Sequence, residues 1–418
     1  MPRLEDVRAL AAGVGVGVGL LLGVQARRWW DRRARSGAIG SLKMGLTGGV
    51  DQVGLALAQA TSSSLVPGNR VALRENGRLL DALEEDFRAA RHSIHVDVYI
   101  WKPGQAGSRL AELACRRARE GVAVRILVDP LGSTGFDAEL RRPLEAAGCE
   151  VRYFRDPRKR PLRLTGRNHR KLVVIDGRVG FTGGFGIAPE WCGDGRTHGW
   201  RDTNVEVEGP VVHQMQTSFA NHWLETGGAL LPRAELERAH PAGEACAAYV
   251  TSTDVVGLSH ARWVTHIALM AARQRVWIAN AYFVPPPEIV GALTLLAQRV
   301  PDVRLLLPGP HLDHQVVRWL QHRQYPRLAA AGLRIWEYQP SMLHAKSMLI
   351  DDRLVVVGSI NLDWLSMELL EEGCLVVDDR PLAAALERCW AADLAHARQV
   401  VGEKVGAVSE AEGMRAEG

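Results

Sequence analysis

The chain is poor in patterned cysteine. Its six cysteines, Cys115, Cys149, Cys192, Cys246, Cys374 and Cys389, are scattered, and no C-x-x-C pair occurs. That excludes a disulfide framework and a thiolate zinc site, and leaves buried free thiols as the reading. Lysine is scarce too, six residues against 45 arginines. Beyond the N-terminus there is no excess of either charge. Residues 1–35 hold seven Arg against Glu5, Asp6 and Asp31, which accounts for the whole formal net charge of +4. A body summing to zero lacks the broad phosphate-neutralising face that nonspecific nucleic-acid binding needs, so no nucleic-acid partner is expected. A chain of 418 residues, 47% hydrophobic and 23% charged, is not disordered and has room for two domains or one duplicated unit.

Long apolar runs are scarce as well. The one that stands out, Ala9–Val24, has 16 residues without a charge. Extended through Ala26 as a helix it would rise about 27 Å, near the hydrocarbon thickness of a bilayer. Trp29 and Trp30 follow in the place of an interfacial belt, and five Arg crowd positions 27–35. Charge after the apolar run favours an uncleaved anchor over a cleaved signal, with the body on the cytoplasmic side. Residues 1–35 are therefore expected to be an N-terminal membrane-anchor segment containing a hydrophobic helix. Residues 36–66, rich in Gly, Ser and Ala, read as a linker with room for one short helix.

From Pro67 onward the pattern alternates between strands and helices. Helices are expected at 78–91, 108–120 and 137–147, and strands at 93–101, 122–128 and 150–154, the signature of a sheet covered by helices. The order then recurs. AARHSIHVDVYIW (89–101) is echoed by AARQRVWIANAYFV (271–284), AAGCEVRYF (146–154) by AAGLRIWEY (330–338), and NHRKLVVIDGRVGFTGG (168–184) by LHAKSMLIDDRLVVVGS (343–359). Two copies of one α/β unit follow, 67–232 and 247–402, joined by a linker at 233–246 and trailed by a flexible tail at 403–418.

The sharpest signal is H-x-K-x-x-x-x-D, present twice as His169, Lys171, Asp176 and His344, Lys346, Asp351. In a strand the His and Lys share one face while the residue between them points away. Asp176-Gly177 and Asp351-Asp352 then mark hairpin turns. One such motif is a wet surface strand. Two, each followed seven residues after the Asp by Gly-Gly or Gly-Ser, make half-sites. A phosphodiester gains negative charge when attacked. One imidazole can attack phosphorus, a second can protonate the departing alkoxide, and two ammonium groups can hold the charge without a metal. Neither metal nor cofactor is expected. His311-x-x-His314 lacks the company of a metal site and reads as a loop. His92, His95, His213, His222 and His266 read as structural. Tyr99, Trp101, Tyr282 and Phe283 end equivalent strands and read as core or pocket wall.

Through these motifs the chain resembles the phospholipase D superfamily and, within it, the bacterial cardiolipin synthases. GRNHRKLVVIDG (166–177), WRDTNVEVEGP (200–210), YFVPP (282–286) and GSINLDWLSMELLEE (358–372) extend the resemblance over about 67–400. It implies two pseudosymmetric α/β/α sandwich halves packed around one shared active site. It implies His169 as nucleophile and His344 as general acid/base, assignments the pseudosymmetry allows to be exchanged. Lys171 and Lys346 would hold the phosphate, with Asn361 and Ser359 of G-S-x-N supporting it. Glu372 and Asp202 stand where the family places carboxylates that orient the His pair. Asp176 and Asp351 complete the motif and read as anchors of the turn. Gly186 replaces the Asn usual in the first half, which removes one polar contact. The implied activity is a phosphatidyltransferase making cardiolipin from phosphatidylglycerol, with a second phospholipid as the alternative donor, at the cytoplasmic side of the bacterial inner membrane. A phospholipase D that hydrolyses headgroups, a metal-independent nuclease, and a scaffold that has lost activity remain as rivals.

Overall fold

The computed structural model describes residues 48–156, 166–236, 239–252 and 259–400. The anchor expected at 1–35, the first part of the linker, and the tail at 403–418 lie outside the described residues. Among those described, no helix is long and apolar enough to cross a membrane.

Among the described residues, fifteen strands form one continuous sheet. They are β1 (Val66–Glu75), β2 (Ser93–Val98), β3 (Ala123–Val128), β4 (Glu150–Tyr153), β5 (Lys171–Ile175), β6 (Val179–Gly183), β7 (Thr203–Glu208), β8 (Ala245–Thr251), β9 (Arg275–Asn280), β10 (Asp302–Pro308), β11 (Arg334–Tyr338), β12 (Lys346–Ile350), β13 (Leu354–Gly358), β14 (Gly373–Asp378) and β15 (Ala397–Val400). Their order is β15-β11-β10-β9-β12-β13-β14-β8-β1-β7-β6-β5-β2-β3-β4. The first half thus reads 4-3-2-5-6-7-1 and the second 11-10-9-12-13-14-8, the same path twice. In each half three parallel strands with crossover helices are followed by an antiparallel meander. β1 and β8 join the halves antiparallel.

Strands β2, β5, β6, β12 and β13 are buried along their whole length, as a sheet covered on both faces requires, and the apolar runs of β5 and β13 fit that burial. Alternation splits β5 between two cores. Val173 and Ile175 pack with Leu83 and Phe87 of the helix Arg78–Ala89, while Leu172 and Val174 pack on the opposite face. That second core is common to both halves. It takes Met215, Phe219 and Trp223 from the helix Val212–Glu225 and Leu382, Leu386 and Trp390 from the helix Arg380–Leu394. A layer shared in this way fixes one half against the other, which is what a site divided between them requires.

The one short helix for which 36–66 leaves room is Val53–Thr61, and it buries Val53, Ala56 and Leu57 among Ala261, Val264 and Ile267 of the second half. Two expectations need correction. The linker at 233–246 is pinned, since Glu235 pairs with Arg125 at 2.6 Å and with His95 at 3.1 Å, and β8 begins within it. The helix expected at 137–147 opens with a wide turn, Asp137–Arg141, before the α-helix Arg142–Ala146.

Candidate active site

Both H-x-K motifs open on one cavity of about 560 Å³. His169 and Lys171 enter it at the start of β5 and His344 just ahead of β12, while Lys346, the first residue of β12, is buried against the His344 ring. The same dipeptide device from the opposite half holds each His. The His169 backbone N–H donates to the Glu371 carbonyl at 2.8 Å, and its Nδ1 lies 2.8 Å from Glu372 Oε1. The His344 backbone N–H donates to the Arg201 carbonyl at 2.7 Å, and its Nδ1 lies 3.1 Å from Asp202 Oδ2. With Nδ1–H given to a carboxylate, each ring keeps the lone pair on Nε2. Each half therefore orients the imidazole of the other.

The two carboxylates are themselves held differently. Glu372 accepts from Ser366 Oγ at 2.6 Å and from Ser359 Oγ. Asp202 accepts from Trp191 Nε1 at 2.8 Å and from the Thr203 backbone N–H at 2.8 Å. The residues beside them anchor the interface. Arg170, pointing away from His169 as alternation requires, donates to Glu371 at 2.9 Å, and Arg201 donates to Asp393 at 2.8 Å.

Charge in the cavity is depressed by burial. Desolvation lowers His169, offset in part by Glu372, and it pushes His344 down to about 3, aided by the Lys346 charge. Both rings are thus neutral near pH 7. Burial also pushes Lys171 down to about 7 and Lys346 to about 8. Lys171 donates to the His169 carbonyl at 2.7 Å, and Lys346 Nζ stands 2.9 Å from the His344 ring nitrogens. Tyr99 and Tyr282 form matching walls, each edge-on to the His of its own half at 5.3 and 6.1 Å. Trp101 and Phe283, their neighbours, are fully buried in the cores instead.

Asn361 lines the cavity, and its side-chain oxygen is buried with no partner among the described residues. Its first-half counterpart, Gly186, has no room for a side chain. A Cβ there would stand 2.8 Å from the Trp191 ring and 3.1 Å from Ile100. The indole fills the place of the missing Asn and braces Asp202. Trp191 was not legible in the sequence, since it sits in a single short turn, Pro189–Trp191, without periodicity. Arg167, Trp200 and Asp363 also line the cavity without having been anticipated, and Asp313 joins them from the loop of the His311-His314 pair. Asp363 carries one usable signal, D-W-L-S, because it caps the helix Trp364–Glu368 by accepting from the Ser366 N–H. Burial raises it to about 7. Of the His311-His314 pair only His314 reaches the wall.

Asp176 and Asp351 do not line the cavity. Both have positive φ, near 54°, at the far turns of their hairpins. Asp176 accepts from the N–H groups of Arg91, His92 and Ser93 at 2.9, 2.7 and 2.9 Å. Asp351 accepts from Arg273, Gln274 and Arg275 at 3.1, 2.8 and 3.1 Å. The third motif residue thus clamps the start of β2 or β9 to the hairpin. Asp176→Ala is expected to cost about 1–3 kcal/mol of stability, through three lost acceptor contacts and a strained φ. Thermal unfolding should shift down while turnover per folded molecule stays close to that of the parent. Lost turnover at unchanged stability would instead put this carboxylate in the chemistry.

Comparison with known proteins meets this geometry. A family model described as cardiolipin synthase, PLD-like domain, matches twice, at residues 83–223 and 266–393, one match in each half. A protein named cardiolipin synthase A from Pseudomonas fluorescens is 34% identical over 340 residues, which is 80% of this chain and 71% of that one. Cardiolipin synthase 1 of Bacillus anthracis is 31% identical over 340 residues, 77% of this chain and 65% of that one. Among solved structures, phosphatidylserine synthase of Haemophilus influenzae superposes with a TM-score of 0.66 at 14% identity, over 84% of this chain and 92% of that one. At that identity the likeness speaks for the fold alone.

Proposed function

The chain belongs to the cardiolipin synthase, phospholipase D-like family, and we propose that it is a phosphatidyltransferase making cardiolipin from phosphatidylglycerol through a covalent phosphatidyl-histidine. The observation that carries this reading is the convergence of two imidazoles, one per half and each with a lysine beside it, on a single cavity. Its remaining wall is largely apolar, with Ile100, Val284, Val317, Leu320, Leu365 and Leu370. Such a wall suits an acyl-bearing substrate and keeps bulk water from the intermediate.

In the first step a neutral imidazole Nε2 forms a bond to phosphorus and the P–O bond to glycerol breaks. The other imidazole gives the leaving alkoxide its proton. In the second step that imidazole takes a proton from the glycerol hydroxyl of a second phosphatidylglycerol, whose oxygen displaces histidine from phosphorus. Lys171, Lys346 and Asn361 hold the phosphoryl oxygens. Residues 1–35 tether the body to the cytoplasmic face of the bacterial inner membrane.

The deciding experiment gives purified protein phosphatidylglycerol in the presence of a chelator. Cardiolipin and free glycerol in equal amounts are the expected products. Phosphatidic acid alone would make the protein a hydrolase, and cleavage of DNA with lipid untouched would remove lipid from the reading. A pH profile follows from the lysines. In the empty cavity Lys171 loses its proton near pH 7 and Lys346 near pH 8, so the charge that draws the phosphodiester is present below this range and lost above it. kcat/KM should therefore fall as pH rises through 7 to 8, by about tenfold per unit for each essential proton lost. Bound phosphate raises both lysines, so kcat should persist to higher pH and the loss should fall on KM. A flat kcat/KM from pH 6 to 9 would remove the lysines from substrate capture.

A further inference from the structure

Four of the large apolar side chains that stand into solvent among the described residues gather at the strand ends where the cavity opens. Leu131 follows β3, Val316 and Trp319 follow β10, and Leu365 follows β13. Val316 is 71% exposed, Trp319 57% and Leu365 42%. The helix Gln315–His322 organises them. Val317 and Leu320 turn into the cavity, while Val316 and Trp319 form a neighbouring stripe outside it. Eight residues rise only about 12 Å, so this helix cannot span a bilayer but can lie on one. Its surroundings are cationic. Between 311 and 330 there are three Arg and one acid, Asp313, whose carboxylate accepts from Tyr282 Oη at 2.9 Å. Arg323 and Arg327 are exposed, and the Arg323 guanidinium lies 4.7 Å over the Trp319 ring. An exposed Trp flanked by Arg beside an apolar cavity mouth matches a headgroup layer, apolar below and anionic above.

We propose that the helix Gln315–His322 seats the cavity mouth on an anionic bilayer. Val316 and Trp319 enter the headgroup–acyl boundary, Arg323 and Arg327 meet lipid phosphates, and the substrate passes Leu365 into the cavity without its chains crossing water. This rests on the lipid reading above, but it is a second contact, separate from residues 1–35, and it orients the active site towards the membrane.

The test uses the full chain with vesicles of phosphatidylcholine and phosphatidylglycerol brominated in their acyl chains. Trp319→Phe keeps an aromatic surface and removes one fluorophore of twelve. Bromolipid quenching should be smaller in this variant than in the parent. Equal quenching overturns the proposal, and it does so whether or not the protein turns lipid over. A second arm uses Val316→Glu with Trp319→Glu. Turnover of phosphatidylglycerol in vesicles should fall roughly tenfold or more, as expected for losing two buried apolar side chains from the bilayer. Turnover of dihexanoyl phosphatidylglycerol dispersed below its micelle concentration should be unchanged. Equal loss on both substrates, no loss on either, or a parent dimer that the variant converts to monomer would each overturn the bilayer assignment. The last would make the stripe a contact between copies.

Discussion

His344→Ala is expected to stop turnover yet leave the protein able to capture a phosphatidyl group. The donor that reveals this is phosphatidyl-p-nitrophenol, whose leaving group departs without a proton. With His169 as nucleophile, the variant should release one equivalent of p-nitrophenolate in a burst and then stall, because no base remains to deprotonate the acceptor. His169→Ala should give no burst. On phosphatidylglycerol itself both variants should fall by at least about 10³-fold. The adduct should appear as added mass on the peptide carrying His169. Its electrostatic basis is already in the empty cavity. Both rings are neutral near pH 7, which suits attack, but an acid needs a proton. The incoming phosphodiester supplies the negative charge that offsets Lys346 and lets His344 take that proton. A burst from His169→Ala and none from His344→Ala would exchange the two roles, as the pseudosymmetry of the halves permits. No adduct on either variant would rule out double displacement.

The duplication was legible in the sequence because each half repeats a strand-turn-strand with the same polar residues on one face, and alternation alone puts His169 with Lys171 and turns Arg170 away. The hairpins at Asp176 and Asp351 were legible from turn chemistry. β1 was not, because Pro67 and Gly68 open it and its apolar residues do not alternate cleanly. Its strand conformation comes from pairing with β7 on one side and β8 on the other. The helix Val53–Thr61 was legible only as room for one short helix in the linker, without its bounds or its packing partner. Its short apolar face gains stability only by packing on a helix two hundred residues later. Trp191 illustrates a third kind of blindness. The absence of Asn at 186 looked like a lost contact, whereas in three dimensions an indole from five residues on fills the gap and donates to Asp202. Deletions are visible in a sequence, but replacements made from another loop are not.

The crossed wiring of the site yields the second large effect. Glu372 orients His169, and Asp202 orients His344, so removing either charge should injure a different step. Glu372→Gln should lower turnover by roughly 10²–10⁴-fold, since a cationic phosphatidyl-histidine would lose its counter-charge. It should slow the p-nitrophenolate burst itself. Asp202→Asn should leave that burst nearly intact and block transfer to the acceptor. Their structural costs should also differ. Around Glu372 two of the donors are hydroxyls, Ser359 and Ser366, which can rotate to accept from an amide. Around Asp202 the donors are the Trp191 indole N–H, the Thr203 backbone N–H and the His344 ring, and the first two cannot reverse. One face of an Asn there must set N–H against N–H, at a cost of about 1–3 kcal/mol. Asp202→Asn is therefore expected to melt earlier than the parent and Glu372→Gln to melt with it. A Glu372→Gln enzyme with parental burst rate would show that His169 needs no carboxylate from the second half. The interlocked halves would then serve stability alone.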